Sequence, residues 1–287
     1  MNSERPGSPD FFAQHPSSWI PAYPPWPPLR APYRNGSLQS EPAPGLTFVL
    51  IHGSWADASY WNEVAAELRK HGHRVHVPEY PGHGPDYSPG VTHEAITRAV
   101  AAYITGCGLT DIQLVGHSFG GSVIQKAAEL VPDRIRRIIF MNAFVLGDGQ
   151  SLADQLPPPV QQSFLQLRQS SPDDTIMLPY PLFRETFANL ADRRLADHLY
   201  GRIVPEPAKP LFEKLDLKKF YALEIPRSYL YLTTDGVLPQ GEGYGWHPHM
   251  SGRLGIFRLI KTEGDHMSTV KTAPARIAAS LYEAARD

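Results

Sequence analysis

The chain is 287 residues long, with a formal net charge of −2, 20% charged residues, 29 prolines and one cysteine. That length holds one large domain with an insertion, or two small ones; the near-neutral charge without a basic run excludes an electrostatic reader of nucleic acid. The lone Cys107 excludes an internal disulfide and a cysteine-based zinc cluster.

No apolar run reaches the length of a membrane span. No apolar h-region follows Met1-Asn2-Ser3-Glu4-Arg5-Pro6, so a soluble cytoplasmic protein without a membrane partner is expected. Residues 1–44 differ from the rest: proline recurs, densest in Pro21-Ala22-Tyr23-Pro24-Pro25-Trp26-Pro27-Pro28, which disfavours helix and inner strand. Phe11, Phe12, Trp19, Ile20, Tyr23, Trp26 and Tyr33 are too apolar for ordinary disorder. This segment reads as an N-terminal arm lying on the following domain or on a second subunit. A homodimer through the arm, or through the cap described below, is the partner arrangement this allows.

From Leu46 the pattern is regular. Residues 46–51 are almost wholly apolar, as in a strand covered on both faces. Residues 60–71 are helical, with Trp61, Val64, Ala65 and Leu68 on one face and Gly72 as the stop. A strand at 74–78 and a turn-rich loop at 80–85 follow, then a helix at about 92–106 with Cys107 as buried filler near its end. An apolar run (Ile112, Leu114, Val115) leads through Gly116-His117-Ser118-Phe119-Gly120 into a helix, and residues 137–141 form the next strand. Residues 145–227 show no clear strand but carry amphipathic pieces near 160–169, 183–202 and 208–215. The sheet resumes at 228–233 and ends at 255–260, before a closing helix at 268–286. Strands alternating with helices imply an α/β fold with a parallel sheet. Residues 45–144 and 228–287 would form its core, and 145–227 a helical cap inserted over the sheet's C-terminal edge.

Strand, tight turn and helix around Gly-x-Ser-x-Gly is the context of a nucleophile elbow. Cβ atoms at Gly116 and Gly120 would clash where the helix approaches the turn, and the helix N-terminus favours a developing anion. A serine hydroxyl needs a base within reach and an acid to orient that base. His266 just past the last strand and Asp235 at the end of the preceding one stand in the order Ser118, Asp235, His266 expected of such a sheet. Asp148, past an earlier strand, is the alternative acid; position 142, behind the same strand, is Asn and cannot serve as a carboxylate. His52 is expected to hydrogen-bond within its loop, and Asp265 to hold its own. The oxyanion donors would be the N–H of Phe119 and that of Ser54, next to Gly53. No metal and no cofactor is expected: His247-Pro248-His249 has no carboxylate or thiolate close in sequence. Nor does Gly241-Glu242-Gly243-Tyr244-Gly245 have the context of a dinucleotide loop.

The motifs His52-Gly53-Ser54-Trp55, Gly72-His73-Arg74-Val75, Pro81-Gly82-His83-Gly84, Gly116-His117-Ser118-Phe119-Gly120-Gly121, Asn142-Ala143-Phe144-Val145 and Gly264-Asp265-His266-Met267 resemble the α/β-hydrolase superfamily. The resemblance is closest to the branch of plant methylesterases and hydroxynitrile lyases. It implies an eight-stranded, mostly parallel sheet with flanking helices, a cap after the sixth strand, and chemistry without metal or cofactor. Where the lyases carry a threonine and a lysine, this chain has Gly53 or Ser54 and Met267, which favours ester hydrolysis. The resulting expectation is a serine esterase for a small neutral ester, lactone or thioester. Its pocket would be lined by residues such as Trp55, Phe164, Met177, Tyr180, Phe183 and Met267. A lyase, cyclase or cofactor-free oxygenase using a His266–Asp235 dyad, or a ligand receptor, are the alternatives.

Overall fold

Six strands, all parallel, form the sheet at the centre of the computed structural model, which describes residues 45–84, 88, 90–240 and 243–286. The expected arm at residues 1–44, part of the loop after Gly84, and Gly241 and Glu242 lie outside the described residues. In chain order the sheet strands are β1 (Thr47–Ile51), β2 (Arg74–His76), β3 (Ile112–Ser118), β4 (Ile135–Ala143), β7 (Arg227–Leu232) and β8 (Arg258–Thr262); β5 (Thr175–Ile176) and β6 (Glu206–Pro207) belong to the insertion. Their spatial order is β2-β1-β3-β4-β7-β8. Every residue of β1 and β3 is buried, which is why both read as near-continuous apolar runs rather than as alternation. Each large apolar side chain so buried stabilises the fold by about 1.5–3 kcal/mol.

The expected eight strands are six among the described residues, so the insertion follows the fourth sheet strand rather than a sixth. Eight was carried by the resemblance; the chain after Leu46 holds only six runs of strand character.

Helices α1 (Asn62–Lys70), α9 (Thr269–Thr272) and α10 (Pro274–Ala285) pack together. A second group is formed by α2 (His93–Gly106), α3 (Gly120–Leu130) and α8 (Lys218–Ala222). The expected single closing helix is two, because Pro274 has no N–H to continue α9 and instead starts α10. The last strand begins three residues later than expected: Gly255 turns at φ +71°, Ile256 faces solvent, and pairing with β7 starts at Arg258. Cys107 is exposed, not buried filler. It caps α2, the chain reverses at Gly108 (φ +65°), and Leu109 fills the core instead.

Between β4 and β7 the chain forms α4 (Pro158–Ser170), the strand β5 (Thr175–Ile176), the single turn α5 (Tyr180–Leu182) and a π-helical turn, Phe183–Phe187. It continues through α6 (Arg193–Tyr200), β6 (Glu206–Pro207), α7 (Ala208–Phe212) and α8. The region expected to be strand-free thus contains an antiparallel pair, Ile176 opposite Glu206 and Thr175 opposite Pro207. Two-residue strands carry no periodicity to read. No helix among the described residues is long and apolar enough to cross a membrane.

Candidate active site

Ser118 ends β3 at φ +53°, a left-handed conformation that costs a non-glycine residue about 1–2 kcal/mol. Its neighbours hold it there. The Ser118 carbonyl accepts from the Phe144 N–H at 3.0 Å, and the Phe119 carbonyl accepts from the Ser122 N–H and hydroxyl at 3.0 and 2.9 Å. Because the Ser122 hydroxyl donates there, it accepts from His93 Nε2 at 3.0 Å, and His93 Nδ1 accepts from Thr97 at 3.2 Å. Burial, aided by Lys126, pushes the His93 pKa down to about 3, so this brace is a neutral imidazole. Backbones meet closely at the elbow. A Cβ on Gly120 would lie 2.6 Å from the His52 carbonyl oxygen, and one on Gly53 would lie 2.5 Å from Ser118 Cβ. The loop after β1 therefore sits directly against the serine, and the Phe119 N–H, before the first turn of α3, has no intrahelical partner.

Asp235 follows β7 and His266 follows β8, and adjacent strands bring them together. His266 Nδ1 donates to Asp235 Oδ2 at 2.6 Å. The same oxygen accepts from Asn142 Nδ2 at 2.7 Å, and Oδ1 accepts from the Val237 N–H at 2.9 Å. With Nδ1 committed to a carboxylate, neutral His266 keeps its lone pair on Nε2. That atom is buried without a hydrogen-bond partner among the described residues, the Ser118 hydroxyl included. Trp246 stacks on the His266 ring (centroids 5.4 Å, 15°), Phe187 meets it edge-on at 5.3 Å, and His117 lies 4.4 Å away, stacked on Tyr60. The Tyr60 hydroxyl donates to the His266 carbonyl at 3.1 Å. Burial, with His266 and His52 nearby, holds the His117 pKa well below its ordinary value, so His117 adds no positive charge beside His266.

Of the two amides after Gly53, one is occupied. The Trp55 N–H donates to Glu206 Oε2 at 2.8 Å, which leaves the Ser54 amide as the candidate second donor of that loop. Trp55 is itself left-handed (φ +59°). Glu206 is fully buried and also accepts from His83 Nε2 at 2.9 Å. Burial alone would lower the His83 pKa, but the charge and hydrogen bond of Glu206, the Pro81 carbonyl and Glu79 raise it. Beside this pair, His52 Nε2 bonds Glu79 Oε1 at 2.7 Å and its ring stacks on Tyr80.

Trp55 packs edge-on against Phe164 (5.8 Å) and Phe187 (5.4 Å), and the Met267 N–H donates to the Phe187 carbonyl at 2.8 Å. Of these, Phe187 meets the His266 ring and Met267 directly follows it in the chain; three other expected pocket residues make contacts elsewhere. Met177 is exposed; Tyr180 bonds Asp197 and packs on Tyr200, towards α6; Phe183 is buried behind Phe187. Phe187 ends the π-helical turn and meets the His266 ring there. Asp148 is not the acid at His266: it lies near the surface, bonding the Leu217 N–H and facing Lys218. Asp265 accepts from the Leu190, Ser268 and Thr269 amides and so holds its own loop. His247 bonds Ser251 and His249 faces Arg253; no group of three His, Cys, Asp or Glu among the described residues is arranged to hold a metal. A separate cavity of about 500 Å³, lined by Thr92, Lys126, Glu213 and Asp216 among others, shares no lining residue with Ser118 and His266.

A family model described as the alpha/beta hydrolase family matches residues 48–280. Among solved structures, an extracellular alpha/beta-hydrolase from a Paenibacillus species is 58% identical, with a TM-score of 0.83; the match covers 84% of this chain and all (100%) of that one. That protein is presented as sharing structural and functional homology with tobacco salicylic acid binding protein 2. The carbendazim hydrolyzing esterase of Nocardioides sp. (strain SG-4G) is 36% identical over 167 residues, 55% of this chain and 68% of that protein. Salicylic acid-binding protein 2 of Nicotiana tabacum is 26% identical over 275 residues, 84% of this chain and 97% of that protein. The chain spans about half the length of three further relatives from Arabidopsis thaliana (48%, 46% and 58%).

Proposed function

This chain belongs to the alpha/beta hydrolase family, and on that premise we propose that it is a carboxylic ester hydrolase working through Ser118, His266 and Asp235. The observation that carries this reading is the 2.6 Å bond from His266 Nδ1 to Asp235, with Nε2 open and a left-handed Ser118 at the end of β3, on the same edge of the parallel sheet. His266 takes the Ser118 proton as Oγ attacks the acyl carbon, and the N–H groups of Phe119 and Ser54 hold the oxyanion. His266 then protonates the leaving alcohol, and water releases the acid by the same steps in reverse. Asp235 keeps the imidazole in this tautomer and balances the imidazolium. Residues 145–227 act as a cap that supplies Phe164 and Phe187 to a site otherwise walled by Trp55, Trp246 and Met267. Walls of this composition suit a small, neutral ester, lactone or thioester. The relatives' names, an esterase hydrolysing carbendazim and a salicylic acid-binding protein, fit a small-molecule substrate.

A second reading, proton transfer by a His266–Asp235 dyad in a lyase, cyclase or oxygenase, draws on the absence of a Ser118 bond to His266 Nε2. Hydrolysis of p-nitrophenyl butyrate by wild type and Ser118→Ala separates the two. A fall of roughly 10³-fold or more supports the triad; equal rates support the dyad.

A further inference from the structure

Three hydrogen bonds tie the insertion to Trp55, in the loop after β1. The Trp55 N–H donates to Glu206 Oε2 at 2.8 Å, its indole N–H donates to the Ile176 carbonyl at 2.8 Å, and its carbonyl accepts from the Val204 N–H at 3.3 Å. Glu206 and Ile176 are the paired residues of β6 and β5, so the small antiparallel sheet is the clamp. It grips a bulky residue at φ +59°, a conformation that persists only where the surroundings impose it. The strongest of these bonds is to a buried carboxylate, and charge-assisted bonds are about twice as strong as neutral ones. Glu206 is an awkward choice for packing alone, because its Oε1 is buried without a partner among the described residues. A carboxylate there is explained by the strained amide it holds and by His83, whose Nδ1 and Nε2 face the Pro81 carbonyl and Glu206, two acceptors.

We propose that Glu206 is a positioning residue for the oxyanion hole. By fixing the Ser54–Trp55 peptide in its left-handed setting, it commits the Trp55 N–H and leaves the Ser54 N–H to face the carbonyl attacked by Ser118. This rests on the triad reading above. Without Glu206 the peptide relaxes, and the donor leaves the 2.7–3.1 Å range in which it stabilises the oxyanion. The hole is then complete only when the β5–β6 clamp is seated, which couples the insertion to the chemical step. Removing an oxyanion donor costs about 10²–10³-fold in kcat, and misorienting one costs part of that.

The test compares wild type, Glu206→Ala, Glu206→Asp, Glu206→Gln and Ser118→Ala by kcat and KM for p-nitrophenyl butyrate, inhibition by a trifluoromethyl ketone, and thermal melting. Glu206→Ala is expected to lower kcat about 10- to 100-fold with KM within about 3-fold, and to weaken the ketone by the same factor as kcat. Glu206→Gln, which can still accept the Trp55 N–H, recovers most of that loss. Glu206→Asp keeps the carboxylate in the buried site but is one methylene too short for its oxygen to stay on the Trp55 N–H, so it loses kcat and ketone affinity by the same factor. If Glu206→Ala does not fold, Glu206→Asp decides. Wild-type kcat and ketone affinity in folded Glu206→Asp, or a change in KM alone, overturns the proposal. Undiminished activity in Ser118→Ala overturns the triad reading instead, independently of the Glu206 variants.

Discussion

Replacing Gly120 by alanine perturbs the elbow by a single methyl group. A Cβ at this position would meet the His52 carbonyl oxygen at 2.6 Å and the Ile51 carbonyl oxygen at 2.8 Å, both backbone atoms that no side-chain rotation can move. Ordinary contact begins at 3.4 Å, so the start of α3 or the end of β1 must retreat by roughly 0.6–0.8 Å. Overpacking of this kind costs about 1–3 kcal/mol. The same movement displaces the Phe119 N–H relative to the Ser54 N–H. A site of this type tolerates about 0.5 Å, and a 1 Å displacement costs on the order of 10²-fold. Gly120→Ala should therefore melt several degrees lower and show kcat reduced about 10- to 100-fold, read by thermal melting and steady-state hydrolysis of p-nitrophenyl butyrate. A variant with wild-type kcat and melting temperature would refute the close approach of α3 to β1 and the role given to the Phe119 amide.

Asp235→Asn should cost up to about 10⁴-fold in kcat by misassigning the His266 tautomer, while Asp148→Asn, altering a surface residue, should stay within about 2-fold; equal losses in both would remove Asp235 from the triad. Asn142→Ala removes a donor to Asp235 and both side-chain bonds to the Leu232 backbone, at 3.0 and 2.7 Å. Asp235 Oδ2 keeps His266 and the Leu232 carbonyl keeps the Asp235 N–H, so the Leu232 N–H is the partner left unpaired, at a cost of about 1–3 kcal/mol; denaturant unfolding should show a loss of that size with kcat also reduced, and an unchanged midpoint contradicts it. His83, facing Glu206, Glu79, Tyr80 and His52, has a folded pKa above its ordinary 6.5. Its stabilisation is therefore fully present below about 6.5 and lost as pH rises through the raised value. The melting temperature of wild type should fall across that alkaline step, and His83→Gln should lose the step; identical profiles would exclude the pair as its source.

The strands and the elbow were legible because both depend on local pattern. β1 and β3 are buried on both faces, so their apolar runs stand out, and glycine at 116 and 120 follows from the space that backbone leaves. Asp235 and His266 were legible as strand ends of a parallel sheet, where adjacent strands bring their C-terminal residues together. What sequence did not disclose depends on distant partners. Glu206 and His83 are far apart in the chain and meet only because β6 folds under the loop after β2. Trp246 follows a glycine tract with no periodicity, yet it covers the His266 ring. In the sequence Asn142 reads as a position without a carboxylate and as part of a family motif; its amide, holding Asp235, is what the fold uses. Met177 and Tyr180 were expected in the pocket from aromatic or apolar type alone. Phe187, an aromatic of the same segment, is the one that meets the His266 ring.

The central claim is that Ser118 Oγ is a nucleophile activated by His266. The most direct measurement is labelling of the full chain with a fluorophosphonate, which forms a stable Oγ–P bond with loss of fluoride, followed by mass spectrometry of the intact protein and its peptides. The account predicts one adduct per chain, located on Ser118, matched by loss of esterase activity, absent in Ser118→Ala and strongly slowed in His266→Ala. Labelling that spares Ser118 while activity is lost, or esterase activity that persists in a fully Ser118-labelled protein, would contradict it.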